Sequence, residues 1–296
     1  MKTLLMLSML IASPVFGKEI LISFDGSAKL EMWKDTLEFA EANKDTGLVY
    51  TYLVSAPYFI SESQEKEHPY WAIKEMGIPY VKFRPDSASG GTKKRWNYMI
   101  QASKEGHEIG SHLCGHYDGL NWTYEQWMKE FAYFKWAMAQ NPEFDSTQIK
   151  TVRAPYLSTN VGYFKALQDT GYLYDTSNVY DKKTSYTTGK ETPIRQILVD
   201  DGSNRHTLPF DCNFILYPTP PGRTREEVYF DSLCYDYEHN PMPTQICLHF
   251  ELMADGAYYA AMKKFVLWAK DKNPQYMTYG QYANYDKSFF KTRINP

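Results

Sequence analysis

The stretch Gly106–His116 reads GHEIGSHLCGH and holds two histidines, His112 and His116, four residues apart. One turn of helix at this spacing would put both imidazoles on one face. Two imidazoles placed in this way can bind one divalent metal ion and leave coordination positions open for water. A histidine pair at this spacing is more often an ordinary pair on a helix surface. The metal prediction therefore depends on a third ligand and on acid–base groups elsewhere in the chain.

The composition of the 296 residues is that of an ordinary globular protein, with 23% charged and 43% hydrophobic residues. A chain of this length can bury a sizeable core. The formal net charge of -3 argues against nucleic acid as a partner, since nucleic-acid binding needs a basic excess or stripe. Aromatic residues make up 16%, including 25 tyrosines. They indicate either core packing or surfaces on which sugars stack.

The N-terminus has the pattern of a secretory signal peptide. Lys2 supplies the positive charge, Leu4–Ile11 is apolar, and a site of small residues follows. The apolar run is too short to span a bilayer. We therefore predict a signal peptide at 1–17, one catalytic domain at 18–286 and a tail at 287–296. The mature protein is expected to be periplasmic or secreted and to have no membrane span.

Short apolar runs alternate with helical patterns along the rest of the chain. A titratable residue follows each of several runs, as Asp25 follows EILISF and His249 ends TQICLH. This rhythm predicts an α/β fold of parallel β/α units with the functional site at the carboxyl ends of the strands. The residues that stand in such positions are Asp25, His112, His116, Arg153, Asp175 and His249.

Residues 178–243 form a longer connection than a barrel needs, rich in Pro, Thr and Tyr. We expect it to be irregular, with a strand near Phe214–Tyr217. It either walls the substrate cleft or is an ordinary surface elaboration. Its tyrosines, the candidates for such a wall, are Tyr180, Tyr186, Tyr217, Tyr229 and Tyr235.

Four cysteines in an exported chain permit disulfides. The favoured pair is Cys212 with Cys234. Cys114 and Cys247 are expected to be buried thiols. His107, at the turn before the EIGS run, is expected to have a structural role.

Five short motifs resemble, in order, those of the polysaccharide deacetylases, the NodB-homology domains of carbohydrate esterase family 4. They are SFDGS at Ser23–Ser27, GHEIGSHLCGH at Gly106–His116, RAPY at Arg153–Tyr156, YDTS at Tyr174–Ser177 and ICLHF at Ile246–Phe250. The segment MTYGQYANY that follows resembles the family's closing strand and helix, so the resemblance covers nearly all of the mature chain. It implies a distorted (β/α)7-type barrel with the NodB-homology fold.

The resemblance also implies a metal-dependent hydrolase that removes N-acetyl groups from amino sugars of peptidoglycan or a chitin-like polymer. The implied metal ligands are Asp25, His112 and His116. Two imidazoles and a carboxylate accept Zn²⁺, which is expected first, and also Co²⁺ or Ni²⁺. The polysaccharide is the expected partner, and no oligomeric state is predicted.

The first motif departs from the family pattern, because this chain has one aspartate where the family has two, a base and a metal ligand. Alignment on Phe24 makes Asp25 the base, and alignment on Gly26 makes it the ligand. The ligand role is slightly favoured, since it completes a set of three ligands. Glu251 or Asp86 would then serve as the base.

The resemblance assigns acid–base roles to the remaining motifs. Arg153 would orient the carboxylate base and keep it ionised. The backbone N–H of Tyr156 would help to hold the oxyanion. His249 would protonate the leaving amine, with Asp175 raising its pKa through a nearby negative charge.

Two alternatives remain at the sequence level. The chain could be a glycan-binding module with a NodB-like fold that lost catalysis with the missing aspartate. It could also be a C–N hydrolase of the same superfamily that acts on a small amide.

Overall fold

The computed structural model describes the residues in six ranges, which are 17–76, 91–178, 197–199, 205–216, 219–250 and 256–285. The predicted signal peptide, apart from Gly17, and the predicted tail lie outside these ranges. The alternative bases Asp86 and Glu251 also lie outside them. The same holds for three of the tyrosines considered for a cleft wall, Tyr180, Tyr186 and Tyr217.

A curled sheet of seven parallel strands forms the centre of the fold. In chain order the strands are β1 (Glu19–Asp25), β2 (Thr51–Val54), β3 (Glu108–Ser111), β4 (Thr151–Val152), β5 (Tyr174–Asp175), β6 (Ile197–Val199), β7 (Arg205–Thr207), β8 (Thr244–His249) and β9 (Gln275–Tyr276). The sheet has the order β5-β4-β3-β2-β1-β8, with β9 also paired to β1, while β6 and β7 form a separate antiparallel pair. The predicted α/β class and (β/α)7-type barrel are confirmed.

The helices cover the outer face of the sheet and its ends. In chain order they are α1 (Leu30–Ala42), α2 (Glu62–Glu67), α3 (Trp71–Met76), α4 (Gly91–Lys104), α5 (Tyr124–Met138), α6 (Val161–Thr170), α7 (Asp211–Ile215), α8 (Arg225–His239), α9 (Ala257–Ala269) and α10 (Tyr279–Asn284). Among the described residues, no helix has the length and apolar character that crossing a membrane requires.

Strand β1 shows how the alternation of a strand separates core from site. Phe24 points outward and meets the ring of Tyr52 at 5.4 Å and that of Phe250 at 5.7 Å. The neighbouring Ser23 and Asp25 point the other way, into the curled sheet, where their side chains accept hydrogen bonds from one guanidinium. Asp25 is in register with His249 of β8, so the carboxyl ends of these two parallel strands lie side by side at one edge of the sheet.

The expectation for residues 178–243 is wrong in its described parts. Phe214 lies in α7 rather than in a strand, and a helix of 15 residues, α8, follows. The buried face of α8 includes the polar Ser232 and Asp236 beside Val228 and Leu233. Because these buried positions are polar, the pattern of apolar residues alone does not show the 3.6-residue period of the helix.

Two tyrosines proposed for a cleft wall are described, and both lie on α8. Tyr229 is fully buried, and its ring meets Phe214 at 4.6 Å and Tyr258 at 5.3 Å. It is therefore a core residue. Tyr235 is exposed and stacks on His239 near the end of the helix.

The closing strand implied for the segment MTYGQYANY (Met277–Tyr285) lies just before that segment rather than within it. The strand β9 ends at Tyr276, and Tyr279 begins α10. Thr278 caps this helix through a capping box with Gln281, which ends the extended segment.

The four cysteines are free. The predicted disulfide between Cys212 and Cys234 is therefore wrong: one lies in α7, and the other packs against the main core from α8. Cys114 and Cys247 are buried thiols, as predicted.

Candidate active site

A cavity of about 470 Å³ opens at the carboxyl ends of the strands. Asp25, His112, Arg153 and His249 reach it from four strand ends, because parallel strands bring their carboxyl ends to one edge. Its wall is completed by Gly26, Ser55, Tyr58, His116, Ala154, Tyr156, Leu157, Leu208, Phe210, Cys212 and Asn213.

The two histidines of the GHEIGSHLCGH stretch meet in this cavity, but not on a helix. The strand β3 ends at Ser111, and the chain then reverses, with Leu113 at φ 60° and His116 at φ 55°. The helical turn expected here is therefore wrong. The reversal nevertheless brings the two imidazole rings to a centroid distance of 5.1 Å.

His112 has the protonation that a metal ligand needs. Its Nδ1 lies 3.0 Å from the carbonyl oxygen of Arg153. Since a carbonyl only accepts, Nδ1 carries the proton and Nε2 is left with its lone pair. Burial lowers the pKa of His112, and burial likewise lowers the pKa of His116 to about 3. Both rings are therefore neutral near pH 7.

Two buried polar atoms at the cavity have no hydrogen-bond partner among the described residues. They are Nε2 of His112 and Oγ of Ser55. Buried polar groups are normally satisfied, so such atoms mark the place of a bound group. The neutral histidine pair thus fits a divalent cation.

Asp25 forms a buried ion pair with Arg153. Its Oδ1 accepts from Nη1 of Arg153 at 2.7 Å, and both side chains are buried. Burial raises the pKa of the Asp25 carboxyl, but the guanidinium and the nearby histidines outweigh this effect and lower it. The same guanidinium donates to Ser23 and Tyr279, so its position is fixed from several sides.

In the described part of the chain, one group of three ligand-type side chains has its ligand atoms within 4.8 Å of one another, and it is Asp211, Cys212 and His249. The predicted set around Asp25 does not meet this spacing. Hydrogen bonds from backbone and imidazole already occupy Asp211, and burial raises the pKa of Cys212 to about 12. The hydrogen bonds to Asp211 account for the proximity of these three side chains without a metal.

His249 stands between two carboxylates. Its Nδ1 donates to Oδ1 of Asp211 at 2.6 Å, and its backbone N–H donates to Oδ2 of the same residue at 2.9 Å. Its Nε2 faces Oδ2 of Asp25 at 4.0 Å. Asp211 therefore fixes the ring and stabilises an imidazolium, while Nε2 faces the cavity.

Comparison with known protein families gives a match for part of the chain. Residues 49–174 match the polysaccharide deacetylase family model. The resemblance seen in the motifs is thereby confirmed. The matched segment contains His112, His116 and Arg153, whereas Asp25 and His249 lie outside it.

Two solved polysaccharide deacetylases have a similar fold. The peptidoglycan deacetylase PdaC from Bacillus subtilis is 13% identical, with 94% of this chain and 96% of that chain covered and a TM-score of 0.50. The peptidoglycan N-acetylglucosamine deacetylase Bc1960 is 14% identical, with 89% of each chain covered and a TM-score of 0.50. At these identities the likeness concerns the fold. A comparison with curated protein sequences found no match.

The fourth motif of the polysaccharide deacetylase pattern does not bring Asp175 to His249. Oδ1 of Asp175 accepts from the hydroxyl of Tyr163 at 2.6 Å and from Oγ of Ser177 at 2.7 Å. Ser177 in turn accepts from the backbone N–H of Ala154 at 2.8 Å. Asp175 thus supports the RAPY segment, and the carboxylate beside His249 is Asp211.

Sequence reasoning missed Asp211, although a signal was present. Phe210 forms a parallel bridge with Cys247 of β8, and the N–H of Cys247 donates to Pro209. Asp211 therefore follows a short extended segment beside β8, as the other site residues follow strands. The segment TLPF before it was too short, and too interrupted by Pro209, to be read as a strand.

Tyr156 lies at the rim of the cavity in a left-handed conformation with φ 58°. Its side chain is 59% exposed, and its ring lies 4.9 Å from that of His116. An exposed aromatic face at the mouth of a cavity is suited to stack on a sugar ring.

Proposed function

We propose that this protein is an exported, metal-dependent N-deacetylase that removes acetyl groups from amino sugars of peptidoglycan or a chitin-like polymer. One observation carries the proposal: Asp25, Arg153 and His249 line the same cavity as the histidine pair, and the buried Asp211 is hydrogen-bonded to His249. The match to polysaccharide deacetylases supports the reaction class. The signal-like N-terminus supports export.

His112 and His116 would hold the metal, with Zn²⁺ expected first and Co²⁺ or Ni²⁺ as alternatives. The bound metal would polarise the acetyl carbonyl and lower the pKa of water. We assign Asp25 as the general base rather than a third ligand, because its contact with Arg153 keeps it ionised. The base takes one proton from the attacking water.

His249 is the proposed general acid. Its Nε2 would give a proton to the amine nitrogen as the amide bond breaks, so that acetate and a free amino sugar leave. Asp211 would hold the ring with its Nδ1–H directed away from the substrate. Oδ2 of Asp25 lies 4.0 Å from Nε2 of His249, so one bridging water would let a proton pass between them between turnovers.

The rim of the cavity would select the substrate. The backbone N–H of Tyr156 is the proposed donor to the oxyanion, and its exposed ring would stack on a sugar. Leu157, Leu208 and Phe210 form an apolar wall that suits the methyl group of an acetyl.

One observation favours a second candidate, a glycan-binding module without turnover. Among the described residues, His112 and His116 belong to no group of three ligand-type side chains whose ligand atoms all lie within 4.8 Å of one another. A site with two ligands would bind metal weakly.

Acetate release tests the proposal. We would incubate the wild type, His112→Ala and His239→Ala with purified peptidoglycan and with chitin oligomers, with and without Zn²⁺. His239 is exposed at the end of α8 and serves as a matched histidine control.

We expect zinc-dependent release that His112→Ala abolishes and His239→Ala retains. Release that persists in His112→Ala, or after removal of metal by a chelator, would contradict a metal centre on the histidine pair. Glycan binding without any release would favour the binding module.

A further inference from the structure

The loop between the two histidines is held from outside the cavity by one carboxylate. Glu130 of α5 is 1% exposed. Its Oε1 accepts from the N–H of Cys114 at 2.9 Å and from that of Gly115 at 3.4 Å. Its Oε2 accepts from the hydroxyl of Tyr70 and, at 3.2 Å, from Nε1 of Trp71.

The first half of this loop is fixed by the sheet instead. The N–H of His112 donates to Val54 at 2.8 Å, and Leu113 accepts from Ala56 at 3.0 Å. Beyond Leu113, the backbone N–H groups of Cys114 and Gly115 donate to Glu130, and these hydrogen bonds tie the loop to helix α5. The position of the second histidine relative to the first therefore depends on this carboxylate.

The backbone conformation of this loop has an unfavourable free energy, which the hydrogen bonds to Glu130 offset. Leu113 and His116 both adopt positive φ, which is unfavourable for residues with a side chain. Gly115 has no room for a side chain, since an added Cβ would lie 2.8 Å from the hydroxyl of Tyr70. A strained, tightly packed turn persists only where its surroundings determine it.

We propose that Glu130 is a positioning residue for the metal site, which fixes the separation of the two imidazoles by holding Cys114 and Gly115. This inference rests on the proposed function in so far as His112 and His116 hold the metal. Glu130 touches neither the substrate nor the metal.

The chemistry of the carboxylate suits this task. Four N–H and O–H groups converge on its two oxygens, and an ionised carboxylate is an acceptor at both. An amide offers one acceptor oxygen and an NH₂ group. In Glu130→Gln the NH₂ group would therefore face another donor, either the indole N–H of Trp71 or the backbone N–H of Cys114.

The test is a Co²⁺ titration of the full-length chain, followed by visible absorption, which reports both affinity and ligand geometry. We would compare the wild type with Glu130→Gln, Tyr70→Phe and Glu108→Gln. Tyr70→Phe removes the hydroxyl that donates to Glu130 and accepts from the backbone N–H of Gly115. Glu108 is the matched control, since its carboxylate accepts from Thr51, Thr151 and Gly280 at the opposite end of β3.

We expect Glu130→Gln to weaken Co²⁺ binding about tenfold and to shift the absorption bands, as changes around metal ligands do. Tyr70→Phe should act in the same direction with a smaller effect. Glu108→Gln should bind as the wild type does, even if its unfolding temperature falls by a similar amount.

Equal binding by the wild type and Glu130→Gln would overturn the inference, and so would equal weakening by Glu108→Gln, which would indicate general destabilisation. A wild type that binds no Co²⁺ would remove the metal centre of the proposed function, and this inference with it. Wild-type binding that Glu130→Gln does not alter would remove the inference alone.

Discussion

Arg153 and Asp25 form a buried ion pair whose members depend on each other. The guanidinium is fully buried and directs Nη1 at the carboxylate at 2.7 Å. Removing one partner of such a pair leaves an uncompensated charge in the interior, which is more costly than removing both. The pair therefore links the stability of the fold to the ionised state of the proposed base.

Arg153→Gln should lower the free energy of unfolding by about 3–5 kcal/mol, because Asp25 would remain buried and unpaired. The double variant Asp25→Asn/Arg153→Gln should recover part of this loss. Urea unfolding of the two single variants, Arg153→Gln and Asp25→Asn, the double variant and the wild type measures the coupling. A double variant less stable than Arg153→Gln would contradict the mutual dependence of Asp25 and Arg153.

Asp211→Asn should lower kcat by at least about a hundredfold, because His249 would lose the acceptor that fixes its tautomer and stabilises its charge. Asp175→Asn is the contrasting variant, since Asp175 bonds to Tyr163 and Ser177. Its kcat should fall much less than that of Asp211→Asn, although its unfolding temperature should drop. Steady-state acetate release measures both, and the reverse order would restore the role first predicted for Asp175.

The elements α4 and β3 are joined by a turn that His107 supports. Its Nδ1 accepts from the backbone N–H of Tyr50 at 3.0 Å, and its ring stacks on Tyr50 at 5.2 Å. Burial lowers its pKa to about 4. A structural role for His107 is thus consistent with its contacts.

The stability of the metal-free protein should fall as the pH falls, in part through His107. Between pH 6.5 and 4 the unfolded chain binds a proton at this residue and the folded chain does not. Unfolding is therefore favoured by acid over this window. From pH 7 to 4.5 the contribution is about 2 kcal/mol. Urea unfolding at both pH values should show a smaller loss in His107→Gln than in the wild type; an equal loss would exclude this contribution.

The helix α8 shows how an element can escape detection. Thr224 and Glu227 form a capping box at its start, which is a signal that the sequence carries. Its buried face, however, contains Asp236, whose Oδ1 accepts from the side-chain amide of Asn240 at 2.7 Å and whose Oδ2 lies 3.9 Å from the ammonium of Lys18. Tertiary contacts of this kind make a polar residue suitable for a buried position, and apolar periodicity does not register them.

At the scale of the whole molecule, the curled parallel sheet converts separate strand ends into one site. Strands β1, β3, β4 and β8 each deliver one polar residue to the cavity. The helix α5 then supports the loop that carries the two proposed ligands, His112 and His116. A metal on the histidine pair would accordingly be coupled to the stability of the entire sheet.

Zn²⁺ should therefore raise the unfolding temperature of the wild type, because a ligand that binds only the folded state stabilises it. At a free metal concentration of about 100 times Kd the gain is about 2.7 kcal/mol. The double variant His112→Ala/His116→Ala should show no such shift, and a chelator should reverse it in the wild type. Calorimetry with and without Zn²⁺ makes the measurement, and an equal shift in the double variant would place the metal elsewhere.

The sequence by itself determined the alternation of strands and helices over much of the chain and the strand ends at which polar residues stand, but not the helices α7 and α8. The strand Thr244–His249 agrees with the apolar run TQICLH. The same patterns put Asp25, Arg153 and His249 at strand ends, because alternation and helical period are encoded by residues close in the chain.

Only the tertiary structure decided which of these residues act on one another. Asp25 and Arg153 are 128 positions apart, and Asp211 and His249 are 38 apart. Their pairing depends on strand order and on a short bridge beside β8, neither of which is written in a local pattern. For this reason the sequence indicated Asp25 as a metal ligand and Asp175 as the partner of His249. In the folded protein Asp25 forms an ion pair with Arg153, and Asp211 is hydrogen-bonded to His249.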